Sequence, residues 1–363
     1  MEDILDRNLR GMTEAVRRNE ITSVDLVQGF LDRIEKVNSS LNAVVSINTE
    51  IALKLAAKAD SDLKEGIVHG PLHGIPMTIK DSLDTKDMVT TWGTKGRETF
   101  RPGRDATSVA RLRDAGAILL GKTNTPEFTL SFQTDNLVYG RTNNPYNLEM
   151  TPGGSSGGAA ALIAANAIPF DMGTDTGGSI RLPAHFCGIS GLKPTTGRVP
   201  CTGNALPSSG LIAPLSQVGP LARCVDDLDF LMTIIQGPDL MDPHTVDATE
   251  RSSDDIDVTT LRIGFHTDNG IATPALPIQN AILNAISLLK AEGFKVEEAT
   301  PPGIEMASLI YSSLFGADGG ETLQMLLDDC RTQEYSPQIA DLVPKPEQQN
   351  YQDAAMVINL RDN

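Results

Sequence analysis

Three short stretches of this 363-residue chain carry side chains in spacings that suit nucleophilic chemistry. The first is Thr151-Pro152-Gly153-Gly154-Ser155-Ser156-Gly157-Gly158, in which four glycines surround two serines. Such a run adopts backbone conformations that a Cβ resists. Three readings are open: a flexible linker, a phosphate-cradling loop, or a serine held in a catalytically oriented backbone. Helix and strand patterns resume at once on both sides, which speaks against a linker. The phosphate-loop pattern G-x-x-x-x-G-K-[ST] is not met, since Ala159-Ala160-Ala161 follows and supplies no lysine.

The second stretch is Gly173-Thr174-Asp175-Thr176-Gly177-Gly178-Ser179-Ile180-Arg181. A strand-like run enters two glycines, then a serine, then a helix-like segment. That order allows a tight turn to lift the Ser179 hydroxyl clear of a sheet, with successive N–H groups aimed at one developing oxyanion. It is not the G-x-S-x-G elbow, because Arg181 stands two residues after the serine. An ordinary helix N-cap explains Ser179 about as well.

The third is Lys80, closing Gly74-Ile75-Pro76-Met77-Thr78-Ile79-Lys80. A lysine there is either a solvated strand end or a base. A serine nucleophile needs a base, and none of the five histidines has a triad context, so lysine is the available substitute. Its ordinary pKa of about 10.4 must fall by roughly three units, or about 4 kcal/mol, for it to be neutral near pH 7.5. Burial supplies a shift of that size and a surface strand end does not. The chemistry therefore demands a buried Lys80.

The elements that must position these groups read as an α/β protein. The first 65 residues have helical texture: Thr22-x-x-Asp25 resembles a capping box, and Val24, Val27, Leu31, Ile34 and Val37 follow at three- and four-residue steps. From Gly74 onward short apolar runs alternate with helical ones. The patterns predict strands at 75–79, 117–120, 168–172, 261–265 and 294–297. Helices are predicted at 107–114, 158–166, 225–235 and 278–292, with a helical turn at 179–186. Residues 1–70 are expected to form a helical layer and 71–363 the α/β core that carries these motifs, one domain overall. The polar, acidic stretch from 237 to 257 reads as a surface connection, and Pro344 and Pro346 as loop, before an apolar segment at 356–360. Phe128, Phe132, Tyr139 and Tyr146, near the motifs in sequence, are candidates to line an acyl-binding pocket, with core packing the favoured reading.

Composition narrows the function. Lys plus Arg total 30 against 47 Asp plus Glu, a net charge of −17 that repels phosphate backbones and anionic lipid. Direct nucleic-acid binding is not expected. No apolar run approaches the ~20 residues of a membrane span, and Met1-Glu2-Asp3 does not start a signal peptide. Cys187, Cys201, Cys224 and Cys330 form no C-x-x-C pair and read as reduced thiols of a cytoplasmic protein. No metal site is expected.

Taken jointly, these stretches resemble the amidase signature family of serine hydrolases. The resemblance is carried by 153–158, by Asp175-Thr176-Gly177-Gly178-Ser179-Ile180-Arg181, by Cys187-Gly188, and by Gly191-Leu192-Lys193-Pro194-Thr195-x-Gly197-Arg198. Lys80 precedes Ser155 by 75 residues and Ser179 follows it by 24, which fits the family's layout. The stretches 119–124 and 140–145 are similar too. The likeness is dense from about 20 to 235 and thins afterwards.

The resemblance implies a mixed β-sheet core covered by helices on both faces. It implies that Ser179 attacks an amide carbonyl, that Ser155 bridges Ser179 and Lys80, and that the Gly154–Ser155 peptide is cis. The N–H groups of Thr176, Gly177, Gly178 and Ser179 would form the oxyanion hole, with Ser156, Asp175 and Arg181 supporting them. The implied activity is hydrolysis of a small-molecule amide to an acid and ammonia or an amine, without metal or organic cofactor. Two alternatives are a glutaminase-type subunit of a tRNA-dependent amidotransferase and an inactive family member retained as a binding protein. A homodimer or a partner subunit is the expected assembly. The family's core continues beyond the point where Asn363 ends this sequence, so an exposed apolar sheet edge or helix face is expected.

Overall fold

A mixed sheet is built from β1 (Val44–Ile47), β2 (Pro76–Lys80), β3 (Ile118–Thr123), β4 (Phe170–Asp175), β5 (Ser190–Gly191) and β6 (Gln217–Ala222). Its spatial order is β1-β3-β2-β4-β6-β5. β2 runs parallel to β3 and β4, while β1, β6 and β5 join antiparallel. The computed structural model describes residues 2–208, 210, 212–247 and 255–343. Residues 252–254, the loop prolines at 344 and 346 and the apolar segment 356–360 lie outside the described residues.

Every residue of β2, β3, β4 and β6 is buried. Side chains alternate between the two faces of a strand, so both faces are covered. Helix Gly157–Ala164 packs on β2, β4 and β6, Thr49–Lys64 on β3 and Val225–Ile235 on β6. This is the mixed α/β architecture that the resemblance implies. Leu9, Met12, Leu26, Phe30, Met77, Ile79, Phe170 and Met172 join one continuous core. Burying each such side chain contributes about 1.5–3 kcal/mol.

Local signals explain most elements. The N-cap of helix Ser23–Leu41 is Thr22, whose Oγ1 accepts from Asp25 N (3.0 Å) and donates to Asp25 Oδ2 (2.8 Å). Helices Thr107–Asp114 and Val225–Ile235 fall on the residues their periodicity predicts. Three strands lie outside the sequence reading: β1, β6 and the two-residue β5, which is too short to leave a pattern. β1 interrupts the helical first 65 residues, because Val44, Val45 and Ile47 suit a pleated edge better than a helix. β6 carries Gly219 and Pro220, residues that argue against a strand. It forms nonetheless, with Pro220 opposite Met172 of β4.

The chain divides into two compact units, and the sheet belongs to the first, which also contains described residues 320–343. There a smaller apolar cluster joins Phe128 to Leu323, Leu327, Cys330 and Ile339. Ser336 N donates to Glu127 Oε2 (2.6 Å), and the Thr94 and Thr332 hydroxyls are hydrogen bonded at 2.7 Å. The other unit includes described residues 255–319. Within it β7 (Arg262–Phe265) and β8 (Lys295–Glu298) pair in parallel, with helix Leu276–Ala291 between them in sequence. Leu276, Leu283, Leu288 and Leu309 stand exposed in this unit, so an apolar helix surface is uncovered among the described residues. No described helix is long and apolar enough to cross a membrane.

Candidate active site

Lys80 closes β2 with its side chain fully buried. Its Nζ donates to Ser155 Oγ (2.6 Å), Thr174 Oγ1 (2.8 Å) and Ser156 Oγ (3.0 Å). Three hydroxyls match the three N–H bonds of an ammonium. A neutral amine donates only two hydrogens and turns its lone pair to the third hydroxyl. Burial drives the Lys80 pKa well below the ordinary lysine range, overriding the opposing pull of Asp175 and Asp171.

Ser155 and Ser156 lie just before helix Gly157–Ala164, and the Gly154–Ser155 peptide is cis. Ser156 occupies the N-cap position without capping, its hydroxyl being turned to Lys80. The helix is made of small and apolar residues and lies close against the strands. A Cβ on Gly158 would stand 2.4 Å from Asn124 N, so only glycine fits there.

Ser179 sits in the turn between β4 and helix Arg181–Cys187, and it is buried at 7% exposure. It is not the helix cap. Ile180 holds the N-cap position, and the Asp175 carboxylate receives the N–H groups of Gly178 (2.8 Å), Ile180 (3.1 Å) and Arg181 (3.3 Å). Arg181 completes the arrangement with two bonds to the same carboxylate, Nε at 3.0 Å and Nη2 at 2.9 Å. Burial pushes the Asp175 carboxyl up, but the Arg181 guanidinium and the N–H donors outweigh it and hold the pKa below the ordinary value. Gly178 adopts φ +125°, a region open to glycine.

The N–H of Gly178 is therefore committed to Asp175, whereas those of Thr176, Gly177 and Ser179 meet no protein acceptor among the described residues. Thr176, Gly177 and Gly178 are half-buried, so this turn faces an accessible rim. The two serine segments are joined through the main chain, Ser156 N donating to Ser179 O at 3.1 Å. No hydrogen bond links the Ser155 and Ser179 hydroxyls among the described residues.

The structure thus brings Lys80, Ser155 and Ser156 together, brings Asp175, Gly178 and Arg181 together, and connects the groups through Ser156 and Ser179. Sequence reasoning passed over Thr174, although it stands next to Asp175 in the same motif. It also passed over Lys122, fully buried on β3, whose Nζ donates to Leu83 O (2.5 Å) and Thr85 Oγ1 (2.6 Å). Burial lowers its pKa to about 8. Asp81 and Asp171, both fully buried acids, are pushed up to about 6 by the same cause. Among the four aromatics read as core, Phe128 is fully buried, while Phe132 and Tyr146 are exposed because they lie on loops around the turn.

Comparison with known proteins agrees with this geometry. A glutamyl-tRNA(Gln) amidotransferase subunit of Roseiflexus sp. (strain RS-1) is 41% identical over 314 residues, covering 85% of this chain and 63% of that protein. Its counterpart from Carboxydothermus hydrogenoformans is 38% identical over 318 residues, covering 86% of this chain and 64% of its own length. The chain thus spans a little under two thirds of these relatives. Among solved structures, a fatty acid amide hydrolase superposes with a TM-score of 0.88 at 25% identity, covering 99% of this chain and 65% of that one. A 6-aminohexanoate cyclic dimer hydrolase superposes with a TM-score of 0.87 at 29% identity, covering 99% and 76%. The family model described as Amidase matches residues 25–361. That match takes in both serine turns and the lysine strand, and the chain belongs to the amidase family.

Proposed function

We propose that this protein hydrolyses a carboxamide C–N bond through an acyl-enzyme on Ser179. The observation that carries the reading is the fully buried Lys80 amine, 2.6 Å from Ser155 Oγ and shifted toward its neutral form. A neutral Lys80 takes the Ser155 proton as Ser155 takes that of Ser179. The Ser179 oxygen then bonds to the amide carbon. Charge gathers on the carbonyl oxygen, where the N–H groups of Thr176, Gly177 and Ser179 receive it. The proton held on Lys80 returns through Ser155 to the leaving nitrogen, the C–N bond breaks, and an acyl ester remains. Water repeats the sequence and releases the acid. Closing the Ser155–Ser179 link falls to the substrate complex, since catalytic hydrogen bonds commonly tighten only there.

A second reading is favoured by the relatives named as glutamyl-tRNA(Gln) amidotransferase subunits. In it the same chemistry releases ammonia from glutamine for a partner subunit, which also supplies any contact with tRNA. The four cysteines are all unpaired, which supports a cytoplasmic setting for either reading. A fluorophosphonate probe and a panel of aliphatic, aryl and amino-acid amides test the proposal. Labelling at Ser179 with turnover of at least one amide is expected. Labelling with glutaminase activity only when a partner is added supports the second reading. Absence of both labelling and turnover leaves the family fold as a binding protein and overturns the proposal.

A further inference from the structure

Near the Lys80 cluster the sheet carries an ionisable side chain that the proposed chemistry does not use. Asp171 of β4 is fully buried. It stands opposite Thr78, two residues before Lys80 on β2, and Thr123 of β3 stands opposite Lys80 itself. The carboxylate oxygen Oδ2 accepts from Thr78 Oγ1 at 2.6 Å and from Thr123 Oγ1 at 3.0 Å. The other oxygen is buried and accepts no hydrogen bond among the described residues. One acid therefore ties together the three adjacent strands that surround the lysine.

A carboxylate is a costly tie in this place. Burial pushes Asp171 up to about 6, against the hydroxyls of Thr78 and Thr123, the charge of Lys122 and the main-chain N–H of Lys80. An apolar side chain of similar volume would join the strands without that cost. It would not place a negative charge beside a buried amine. The other charged groups acting there are few: Asp175 on β4, Lys122 on β3, and Asp81, which follows Lys80 and faces Lys122. Helix Gly157–Ala164 and β6, packed against β4, carry no ionisable side chain. The charged side chains of helix Ser23–Leu41, which packs on β2, are not buried.

We infer that Asp171 is a positioning residue for Lys80: bonded to Thr78 and Thr123, it fixes the end of β2 and places a buried negative charge near the amine. Only the catalytic consequence rests on the hydrolase reading. The electrostatic link is independent of it.

An anion favours the ammonium, so removing it makes Lys80 lose its proton at lower pH. The intact 363-residue chain, labelled with 13C-lysine, is titrated by NMR as wild type and as Asp171→Asn, which keeps an oxygen acceptor but not the charge. The Lys80 Cε signal is assigned by its loss in Lys80→Met. The midpoint is expected to fall by about one pH unit. The acid limb of fluorophosphonate labelling at Ser179 is expected to move down with it. Asp171→Ala replaces Asn if that variant does not fold. A folded variant with reduced thermal stability and an unmoved midpoint overturns the inference, because a purely structural tie predicts that result. A moved midpoint in a chain that neither labels nor turns over any amide leaves the inference standing and removes the hydrolase reading.

Discussion

Lys80 Nζ and Ser155 Oγ lie 2.6 Å apart, and neither side chain touches solvent. In the proposed mechanism the pair acts as base and proton carrier, which requires an uncharged amine. Lys80→Met is therefore expected to lower kcat by about 100- to 10,000-fold. Lys80→Arg is expected to be no better, since a guanidinium stays charged at every accessible pH. In the wild type, kcat/KM is expected to fall as the pH drops through the folded Lys80 value, well below the ordinary lysine range. A pH–rate profile with no such limb, or a Lys80→Arg variant of normal rate, contradicts the assignment.

Ser179→Ala is expected to abolish labelling and to lower kcat by about a millionfold, the scale on which loss of a nucleophile is felt. Ser155→Ala should also suppress turnover, because it cuts the path between the nucleophile and the base. Stopped-assay rates, with circular dichroism as a check on folding, decide both. Labelling that persists in Ser179→Ala would move the nucleophile elsewhere.

The Asp175 carboxylate holds the Ser179 turn through three N–H groups and Arg181. Asp175→Asn keeps one acceptor oxygen and is expected to cost about 100-fold in kcat by letting the oxyanion donors drift. Arg181→Lys is expected to rescue poorly relative to wild type, because an ammonium does not reproduce the two-pronged contact. Gly178→Ala places a Cβ at φ +125° and is expected to reduce both stability and rate. Steady-state kinetics and thermal melts of the three variants test this group. Unchanged kcat in Asp175→Asn would detach the carboxylate from the turn's function.

Lys122 gives a pH-dependent stability. Its folded pKa of about 8 lies below the ordinary 10.5, so between these values the unfolded chain binds more protons. Stability from this group therefore rises with pH from about 8 upward, by roughly 1 kcal/mol for each pH unit. Below pH 8 the cost of burying the cation is fully present. Lys122→Met should flatten this rise between pH 8 and 9; above that range the buried Cys187 and Cys201 thiols, pushed up to about 12, act in the opposite sense. Urea midpoints of both proteins at pH 7, 8 and 9 measure it. Parallel curves would mean that Lys122 is ionised normally.

Much of the site was legible because its chemistry is local in sequence. The Gly-Ser turn at 153–158 and the Asp175-to-Arg181 turn each announce a special backbone, and Lys80 is conspicuous at the end of an apolar strand. What pattern could not supply was partnership across the sheet. Whether Ser179 or Asp175 caps the following helix depends on side-chain direction, which spacing leaves open. Thr174, Asp171 and Lys122 gain their meaning only from strands brought side by side by parallel pairing. The fold followed the same division. Regular helices such as Thr107–Asp114 were plain from periodicity, whereas β6 was hidden by Gly219 and Pro220, whose local preferences the neighbouring strands overrule.

The enclosure of Lys80 has a practical side. A free amine base is a strong target for acylating and arylating reagents, yet such reagents act only on what they can reach. In the native protein the buried Lys80 should be passed over while exposed lysines are modified. Capture of that one residue would then report the moments when the strands around it part, a natural gauge of breathing in the sheet.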